Sequence, residues 1–433
     1  MHRILFVSHF DHARMGGQKS MLDLIKHLDR TRFTPLLLCQ ERGELSAKAE
    51  ALGCKVLTMP LLDSIKPKHL RHIATTIRTA LRILEEEHIT IVHPDHERDT
   101  FLFGIAAQIA RIPLIWHVRL SEREKFDRIN TALASSVICV SEGVAKERFG
   151  QNFSQSPQGR IKHDIISEAH SKYRAIYNGV DCEYFKPVAN KYGQRRLLGI
   201  PENRKILGFA GQIKEGKGVF ELIEALRIMK TITPELLPLT LMLGTALEHE
   251  VEVRLQTAIA EAGLSEDIWQ LGQREDIWQW MQAMDVLILP SHEGVEGMGR
   301  VLAEAQACGV ATIGSDITGV REVVPHGVGL RVRPQSPESI AEALHTVFSQ
   351  PMELVRLQNA GRAFALAHFD SKHHARNVEQ VYHNVLDSHL QPDSGSSFAP
   401  QYFSSMRHTT SNAIAQPFKR AAFKIVHLAL AIF

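Results

Sequence analysis

The sequence is poor in cysteine and nearly balanced in charge. It has five cysteines among 433 residues, a scattered set without C-x-x-C spacing, which excludes a disulfide framework and a cysteine zinc site. We therefore expect reduced thiols and a cytoplasmic location. The formal net charge is +2 and long runs of Lys and Arg are absent, so nothing favours a nucleic-acid partner.

Two further features are missing. No D-x-D motif occurs, and we expect neither a metal ion nor a cofactor. No apolar run approaches the roughly 20 residues that a membrane-spanning helix needs. The composition, 44% hydrophobic and 23% charged, is typical of a globular protein, and 433 residues are enough for two domains.

The most informative stretch is a strand–loop–helix–strand unit within 284–325. Apolar runs at 286–289 and 310–314 predict buried strands, and the composition of 299–308 predicts a helix between them. The loop that enters this helix reads Glu296-Gly297-Met298-Gly299. Glycines at a helix start bring backbone N–H groups close to a ligand, and the helix dipole favours negative charge there. A phosphate group suits this position.

Two carboxylates, Glu296 and Glu304, flank the start of this helix. Eight helical residues rise by about 12 Å, which is roughly the distance from a sugar past two phosphates to a ribose. Because carboxylates would repel the phosphates, we interpret both as acceptors for hydroxyl groups. Spacing alone leaves an alternative open, in which both are ordinary surface residues of the helix.

The segment 296–310 resembles the glutamate-(seven residues)-glutamate signature of retaining glycosyltransferases of family 4, the glycosyl transferases group 1. The resemblance covers roughly residues 3–387. It implies an α/β fold of the GT-B type, with two Rossmann-like β/α/β domains facing each other across a cleft, plus a C-terminal tail helix. It also implies that Glu296 contacts the donor sugar, and that Glu304 holds the ribose hydroxyls. Donor-binding residues between them would be Gly297, Met298 and Gly299, although the family usually has phenylalanine where Met298 stands.

Two other glycine-containing turns follow predicted strands. Gly16 and Gly17 precede an amphipathic helix, but they do not form G-x-G-x-x-G, and a plain strand–helix turn is the alternative. The resemblance implies that this first loop closes over the donor diphosphate and the acceptor.

The second turn runs from Gly211 to residue 218 and contains Lys217. Backbone amides with one positive charge suit a diphosphate. The family has arginine where Gln212 stands, so one expected phosphate-binding charge is missing. Lys214 and Arg300 are the candidates to compensate, and the sequence does not choose between them.

His117 follows a predicted strand at 113–116. A histidine at the carboxyl end of a strand in an open α/β sheet points into the ligand crevice, where it can donate a hydrogen bond or exchange protons. One histidine among 23 means little by itself, but the resemblance implies a functional histidine at this position. His93 and His96 are weaker candidates. Arg274 lies in a stretch that resembles the family's base-reading loop and is a candidate there.

An Asn-Gly turn followed by Pro187 predicts a domain boundary. We predict an N-terminal acceptor-side domain at 1–176, a linker at 177–187 and a C-terminal donor domain at 188–368. A helix at 369–390 would cross back to the N-terminal domain, before a flexible tail at 391–433. Residues 417–433 are amphipathic and basic on one face; we interpret them as a helix that anchors on a membrane surface, the alternative being a terminal helix packed on the protein.

Together with these features, the family resemblance implies a hexosyltransferase that moves a sugar, with retention, from a nucleotide-diphosphate sugar to a hydroxyl of a glycan or lipid-linked cell-envelope acceptor. A UDP-sugar is the expected donor. Lys217 and two helix N-termini would stabilise the leaving phosphate without a metal, Glu296 would hold sugar hydroxyls, and His117 would position the acceptor or the sugar 6-hydroxyl. The enzyme would be cytoplasmic, peripheral on the inner face of the membrane. A nucleotide-sugar epimerase of the same architecture and an inactive nucleotide-sugar-binding scaffold are the alternatives.

Overall fold

The protein has two halves, each built from parallel β-strands flanked by helices. The computed structural model describes residues 1–13, 15–151 and 172–390. Residues 152–171 and the whole predicted tail (391–433), including its amphipathic segment, lie outside the described residues. Among the helices that the structure describes, none is both long enough and apolar enough to cross a membrane.

The N-terminal half contains seven parallel strands. Four of them pair in the order β3-β2-β1-β4 and three in the order β5-β6-β7, with an isolated bridge from Val92 to Leu114 between the two groups. The strands are β1 (His2–Ser8), β2 (Phe33–Cys39), β3 (Lys55–Thr58), β4 (Ile91–Pro94), β5 (Ile115–Val118), β6 (Ser136–Cys139) and β7 (Tyr173–Ala175). In β1, the residues from Ile4 to Val7 are buried on both faces of the sheet, which explains the continuous apolar run.

Helices connect these strands, as parallel pairing requires. They are α1 (Gly16–His27), α2 (Glu44–Ala51), α3 (Leu70–Glu86), α4 (Glu97–Ala110), α5 (Asp127–Leu133) and α6 (Glu142–Phe149). A short 3-10 turn at Pro67–His69 precedes α3. The helix α3 therefore begins directly after that turn, at Leu70.

The C-terminal half contains a six-stranded parallel sheet in the order β10-β9-β8-β11-β12-β13. Its strands are β8 (Ile206–Ala210), β9 (Leu239–Leu243), β10 (Ile268–Gly272), β11 (Val286–Leu289), β12 (Ala311–Ser315) and β13 (Leu330–Val332). Its helices are α7 (Lys191–Leu197), α8 (Val219–Ile232), α9 (His249–Glu261), α10 (Ile277–Ala283), α11 (Arg300–Ala307), α12 (Val320–Val323), α13 (Pro337–Ser349) and α14 (Pro351–His368). The central strands β8 and β11 lie where the chain order reverses, which is the ligand-binding position in open α/β sheets.

The last described helix, α15 (Ser371–Leu390), packs on the N-terminal half. Its Tyr382 ring lies 5.5 Å from the Phe33 ring, and Glu379 accepts a 2.7 Å hydrogen bond from the backbone N–H of Asp29. The chain thus crosses from the C-terminal sheet back to the first one, and residues of α15 reach the space between the two halves.

All five cysteines are free and buried. Burial raises the pKa of the Cys39 thiol to about 11 and that of Cys54 to about 12, so both stay protonated near neutral pH. These thiols pack as small apolar groups, in agreement with the expectation of reduced cysteines.

Candidate active site between the two sheets

Two helices begin at a left-handed glycine beside the carboxyl ends of β8 and β11. Gly218 (φ 71°) precedes α8 and Gly299 (φ 72°) precedes α11. This backbone conformation is accessible to glycine at low cost and is unfavourable for other residues. A Cβ at Gly218 would also overlap the carbonyl of Pro290. The two glycines therefore let both helix N-termini approach the same edge of the sheet.

Lys217 and Glu296 meet at this edge. The Lys217 ammonium forms an ion pair with Oε1 of Glu296, and the same oxygen accepts a 2.8 Å hydrogen bond from Ser291 Oγ. Both side chains are largely buried, with exposed fractions of 16% and 10%. The sequence analysis assigned Lys217 to the leaving phosphate and Glu296 to the sugar hydroxyls of the donor. In the structure the two residues, which are 79 positions apart in the chain, are in direct contact.

Glu304 is buried on α11 and faces the N-terminal half. Its Oε1 accepts a 2.9 Å hydrogen bond from Nε of Arg300, one helical turn earlier. The Arg300 guanidinium also donates to Ser20 Oγ at 2.9 Å and pairs with the Asp23 carboxylate, both on α1. Burial lowers the pKa of Arg300, but the charges of Asp23 and Glu304 outweigh it and leave the pKa raised. Glu304 is thus held at the boundary between the two halves.

This pairing bears on the missing arginine at Gln212. Arg300 already has two carboxylate partners, so it is not available as a replacement phosphate ligand. Lys214 is exposed at the same turn as Lys217. Partial burial lowers the pKa of Lys214, and the nearby Lys217 charge lowers it further. Lys214 therefore lies close enough to Lys217 and Glu296 for their charges to act on it, and its part in phosphate binding stays a prediction.

The first glycine loop also touches this region. Gly16 and Gly17 form the first turn of α1, so the helix starts earlier than its apolar spacing indicates. A Cβ on Gly17 would lie 3.0 Å from Cδ of Arg119, whereas a Cβ on Gly16 would meet nothing within 4 Å. Of the two glycines, Gly17 is therefore the one at which an added Cβ would press against a neighbouring side chain.

The loop before α11 contacts the N-terminal half directly. The Gly297 carbonyl accepts a 2.8 Å hydrogen bond from Ser141 Oγ, and a Cβ on Gly297 would overlap the Arg119 carbonyl. Met298 is buried, and its Sδ accepts a 3.1 Å hydrogen bond from the backbone N–H of Asn178 in the predicted linker. These contacts define a closed arrangement of the two halves.

A buried carboxylate of the C-terminal half, Glu322, also bonds to the N-terminal half. Its two oxygens accept hydrogen bonds of 2.9 and 2.8 Å from the N–H groups of Glu142 and Gly143, at the start of α6, and one of 2.8 Å from the Tyr177 hydroxyl. Burial raises the pKa of Glu322 despite these bonds. The sequence gives no sign of this contact, since it joins residues about 180 positions apart.

His117 lies at the end of β5 and is buried among other histidines. Its Nδ1 is 3.2 Å from Nε2 of His93, and Nδ1 of His93 is 2.7 Å from the Tyr382 hydroxyl on α15. Burial lowers the pKa of His117 well below its usual value and that of His93 to about 3, so both rings are neutral. The two candidate histidines are brought together, and His374 of α15 lies next to them, its ring centroid 6.5 Å from that of His117.

Arg274 is placed differently from the other candidates. Its guanidinium pairs with the Asp276 carboxylate at 2.9 and 3.0 Å and lies over the Trp280 ring at 5.1 Å. The neighbouring Glu275 reaches Lys48 of α2 at 3.8 Å, so the loop faces the N-terminal half. None of the hydrogen bonds of Arg274 in the described structure goes to the glutamate or lysine residues above.

One group within the described residues has ligand-type atoms close enough for a metal ion, namely His9, His96 and Asp99, whose atoms lie within 4.8 Å of one another. The two nitrogens of His9 already face carboxylates, with Asp99 at 3.4 Å and Asp63 at 3.0 Å. Hydrogen bonding to Asp99 raises the pKa of His9 despite its burial, which favours a proton at this position. The expectation of no metal stays a prediction.

Sequence reasoning missed several residues of this region: Ser20, Asp23, Ser291, His374 and Tyr382. For Arg300 the sequence does contain one indication of its partner: it stands four residues before Glu304, so the two side chains lie on one face of the helix. The others are brought in by distant elements and carry no local pattern.

Two family models match the chain. The model described as Glycosyltransferase Family 4 matches residues 15–148, and the one described as Glycosyl transferases group 1 matches residues 191–364. The first match lies in the N-terminal half and the second in the C-terminal half, so each half of the chain matches a glycosyltransferase family model.

Curated relatives are similar over part of their length. The D-inositol 3-phosphate glycosyltransferase of Stackebrandtia nassauensis is 29% identical over 238 residues, which is 53% of either chain. The lipopolysaccharide core biosynthesis mannosyltransferase LpsB of Rhizobium meliloti is 24% identical over 49% of this chain and 60% of its own. The chain spans about half the length of the curated relatives it matches.

Solved structures match over nearly the whole described chain. A glycosyltransferase from Rickettsia africae superposes with a TM-score of 0.75 at 20% identity, covering 89% of this chain and 98% of the other. Anabaena HepE, in complex with UDP and glucose, superposes with a TM-score of 0.71 at 22% identity, covering 88% and 100%. These matches confirm the expected fold class. The chain belongs to the group 1 glycosyl transferases of glycosyltransferase family 4 and has their two-domain GT-B fold.

Proposed function

We propose that the protein is a retaining glycosyltransferase that moves a sugar from a nucleotide-diphosphate sugar, a UDP-sugar in the first place, to a hydroxyl of a glycan or lipid-linked cell-envelope acceptor. The observation that carries the proposal is the buried pair of Lys217 and Glu296 beside two glycine-led helix N-termini. A cation next to amide donors is suited to a diphosphate, and an adjacent carboxylate is suited to sugar hydroxyls.

Donor binding would exchange the partners of this pair. With the donor bound, a phosphate oxygen replaces Glu296 Oε1 as the partner of the Lys217 ammonium. The Glu296 carboxylate, still held by Ser291, then accepts hydrogen bonds from sugar hydroxyls. The ion pair keeps the lysine in place in the absence of the donor, so little reorganisation is needed.

Glu304 would bind the ribose of the donor. Only its Oε1 is hydrogen-bonded to Arg300 in the structure, and a carboxylate has further lone pairs for hydroxyl donors. Because Arg300 also binds Ser20 and Asp23, the nucleotide end of the donor is coupled to the closure of the two halves.

The transfer step would use the diphosphate itself as the base. The acceptor oxygen bonds to the anomeric carbon on the face from which the diphosphate leaves, and its proton passes to the leaving phosphate oxygen. Lys217, assisted by Lys214, would stabilise the negative charge that develops there without a metal ion. In the closed arrangement, the hydrogen bond from Ser141 to the Gly297 carbonyl would help to keep water out of the site, which would protect the donor from hydrolysis.

The descriptions of two similar proteins support the proposed classes of donor and acceptor. Anabaena HepE is described in complex with UDP-glucose, and the Rhizobium meliloti relative is named for lipopolysaccharide core biosynthesis. On these grounds we propose a UDP-sugar donor and an envelope-type acceptor. We also propose a cytoplasmic enzyme that contacts the inner membrane surface through residues 417–433.

The test is a transfer assay with UDP-, GDP- and ADP-glucose and an envelope glycolipid fraction, with and without EDTA. The expected product is an acceptor carrying one added sugar, EDTA-insensitive, with the anomeric configuration of the donor. An altered sugar on the nucleotide in reactions without acceptor would identify an epimerase instead. Binding of a nucleotide sugar without any turnover would identify a scaffold.

A further inference from the structure

Arg119 is a largely buried arginine that uses few of its hydrogen-bond donors. It directly follows β5, and 18% of its side chain is exposed. A guanidinium has five N–H donors, yet among the described residues that of Arg119 makes one hydrogen bond, from Nη1 to Oδ1 of Asn178 at 3.1 Å. Its Nε is buried and has no hydrogen-bond partner. Most of its donors are therefore unused by the described part of the chain.

Two other buried arginines of the chain are fully paired. Arg148, with 1% of its side chain exposed, binds two carboxylates and a carbonyl through all three of its nitrogens. Arg195, with 4% exposed, also uses all three nitrogens, on one carboxylate and two carbonyls. Arg119 has one carboxylate nearby, that of Asp95, which is 3.8 Å from Nε and thus beyond hydrogen-bond distance. A buried cation with unused donors is suited to bind an anion.

The Arg119 side chain lies against the first turn of α1. The position that a Cβ on Gly17 would take is 3.0 Å from Cδ of Arg119, 3.1 Å from Nε and 3.7 Å from Cζ. The N-cap residue of this helix, Met15, makes no side-chain capping bond, and the first turn contains no acidic residue. The N–H groups at the start of α1 therefore add to the positive charge of the Arg119 guanidinium.

The backbone of Arg119 touches the C-terminal half. A Cβ on Gly297 would overlap the Arg119 carbonyl, and Gly297 directly follows Glu296, the partner of Lys217. Burial lowers the pKa of Arg119, and the nearby positive charge of Arg300 on α11 lowers it as well. Arg119 thus lies between the glycine turn that begins α1 and the glycine loop that enters α11.

A phosphate group fits these donors better than a hydroxyl does. An arginine can bind one phosphate through two parallel N–H···O bonds, which hold it in a defined orientation. A hydroxyl would accept a single bond and leave the positive charge without a counter-charge. Of the two phosphates of the proposed donor, the one bonded to the sugar belongs beside Glu296, and Glu296 is next to the Gly297 contact of Arg119.

We propose that Arg119, together with Lys217, binds the sugar-bearing phosphate of the nucleotide-diphosphate sugar. Arg119 then supplies from the N-terminal half the positive charge that is missing at Gln212. This role deepens the proposed function and rests on it. Because Arg119 and Lys217 belong to different halves, a diphosphate held by both links the two halves in the closed arrangement.

The first test compares a nucleoside diphosphate with its monophosphate. UDP, GDP and ADP are titrated into the full-length protein by calorimetry, and the one that binds is used with the corresponding monophosphate on Arg119→Met. We expect the affinity for the diphosphate to fall by about tenfold or more, as for loss of a hydrogen bond to a charged group, and that for the monophosphate to stay nearly unchanged. Equal diphosphate affinity in the wild type and the folded variant would refute this role of Arg119.

Two further variants separate phosphate binding from structural support. Arg123→Met is the matched control, because Arg123 is exposed, follows four residues later and donates to the Glu147 carbonyl at 3.4 Å, so diphosphate binding should not change. Arg119→Lys keeps the charge but not the paired donors, and we expect an affinity between those of the wild type and Arg119→Met. Equal losses for diphosphate and monophosphate in Arg119→Met would show that Arg119 only holds the two halves together, which contradicts phosphate binding.

The Nε–H group of Arg119 gives a direct reading in the unaltered protein. The full-length chain is labelled with 15N-arginine, and Arg119→Lys identifies the signal. We expect the Arg119 Nε–H signal to shift when the diphosphate binds and to stay in place with the monophosphate. A signal that stays in place with bound diphosphate would overturn the role of Arg119 and leave the proposed function standing. If none of the three diphosphates binds the wild type, the proposed donor is refuted, and Arg119 loses its proposed ligand with it.

Discussion

Replacing Lys217 with methionine separates the structural role of the buried ion pair from its role in catalysis. The change removes the ammonium and keeps an unbranched apolar chain. Breaking a buried pair from one side costs about 3–5 kcal/mol, because the remaining charge is left without its partner. Here Glu296 keeps its bond to Ser291 and both side chains retain some exposure, 16% and 10%, so we expect the lower end. The free energy of unfolding should fall by about 3 kcal/mol.

A double-mutant cycle is completed with two more variants, Glu296→Gln alone and Glu296→Gln combined with Lys217→Met. The single change should cost only about 1 kcal/mol, because the lysine can turn toward water. The double variant should be more stable than the sum of both losses indicates, with a coupling of roughly 1–2 kcal/mol. Urea unfolding followed by circular dichroism measures these values.

Activity should behave differently from stability. We expect Lys217→Met to lower kcat by about 100-fold or more, as for loss of a charge that stabilises the transition state, and the double variant to stay equally slow. Lys230→Met is a matched control, since Lys230 pairs with Asp267 at 3.3 Å on the outside of the same half and should affect neither kcat nor donor affinity. Full activity of Lys217→Met, or recovery of activity in the double variant, would refute the assignment.

Two further predictions concern closure. Gly297→Ala introduces a Cβ that overlaps the Arg119 carbonyl, so we expect a larger radius of gyration by small-angle scattering and about a tenfold or greater loss of kcat; an unchanged radius would contradict the closed geometry. Burial, and next the Glu322 charge, raise the pKa of Glu142 to about 7. Because the folded state then binds this proton more tightly than the unfolded state, stability should fall as pH rises from about 4.5 to about 7. In the Glu142→Gln variant this part of the pH dependence of thermal unfolding should disappear. A pH profile identical to that of the wild type would contradict the raised pKa of Glu142.

Much of the sheet structure could be predicted from sequence, because strands buried on both faces read as continuous apolar runs. The strand predicted at 286–289 is present as Val286–Leu289, and that predicted at 310–314 is shifted by one residue, to Ala311–Ser315. The start of α1 was predicted less accurately, because Gly16 and Gly17 belong to the helix and not to the loop before it. Propensity is low at such positions, and tertiary packing determines them.

The candidate site was predictable only in part. Lys217, Glu296 and Glu304 stand out because glycines and carboxylates have a local spacing. Their partners do not, since Lys217 meets Glu296 across 79 positions, and His93 meets Tyr382 across 289. The sheet topology and the crossing helix create these contacts.

The measurement that tests the account most directly is calorimetric titration of a nucleotide-diphosphate sugar into the wild-type protein and into Glu304→Ala. Glu304 is buried and fixed by Arg300 at the boundary of the two halves, where a ribose is expected. We predict clear binding of UDP-glucose to the wild type and an affinity lower by about tenfold or more in the variant, corresponding to the loss of a charged hydrogen bond. Equal affinity in the two proteins, or no nucleotide-sugar binding by the wild type, would contradict the account.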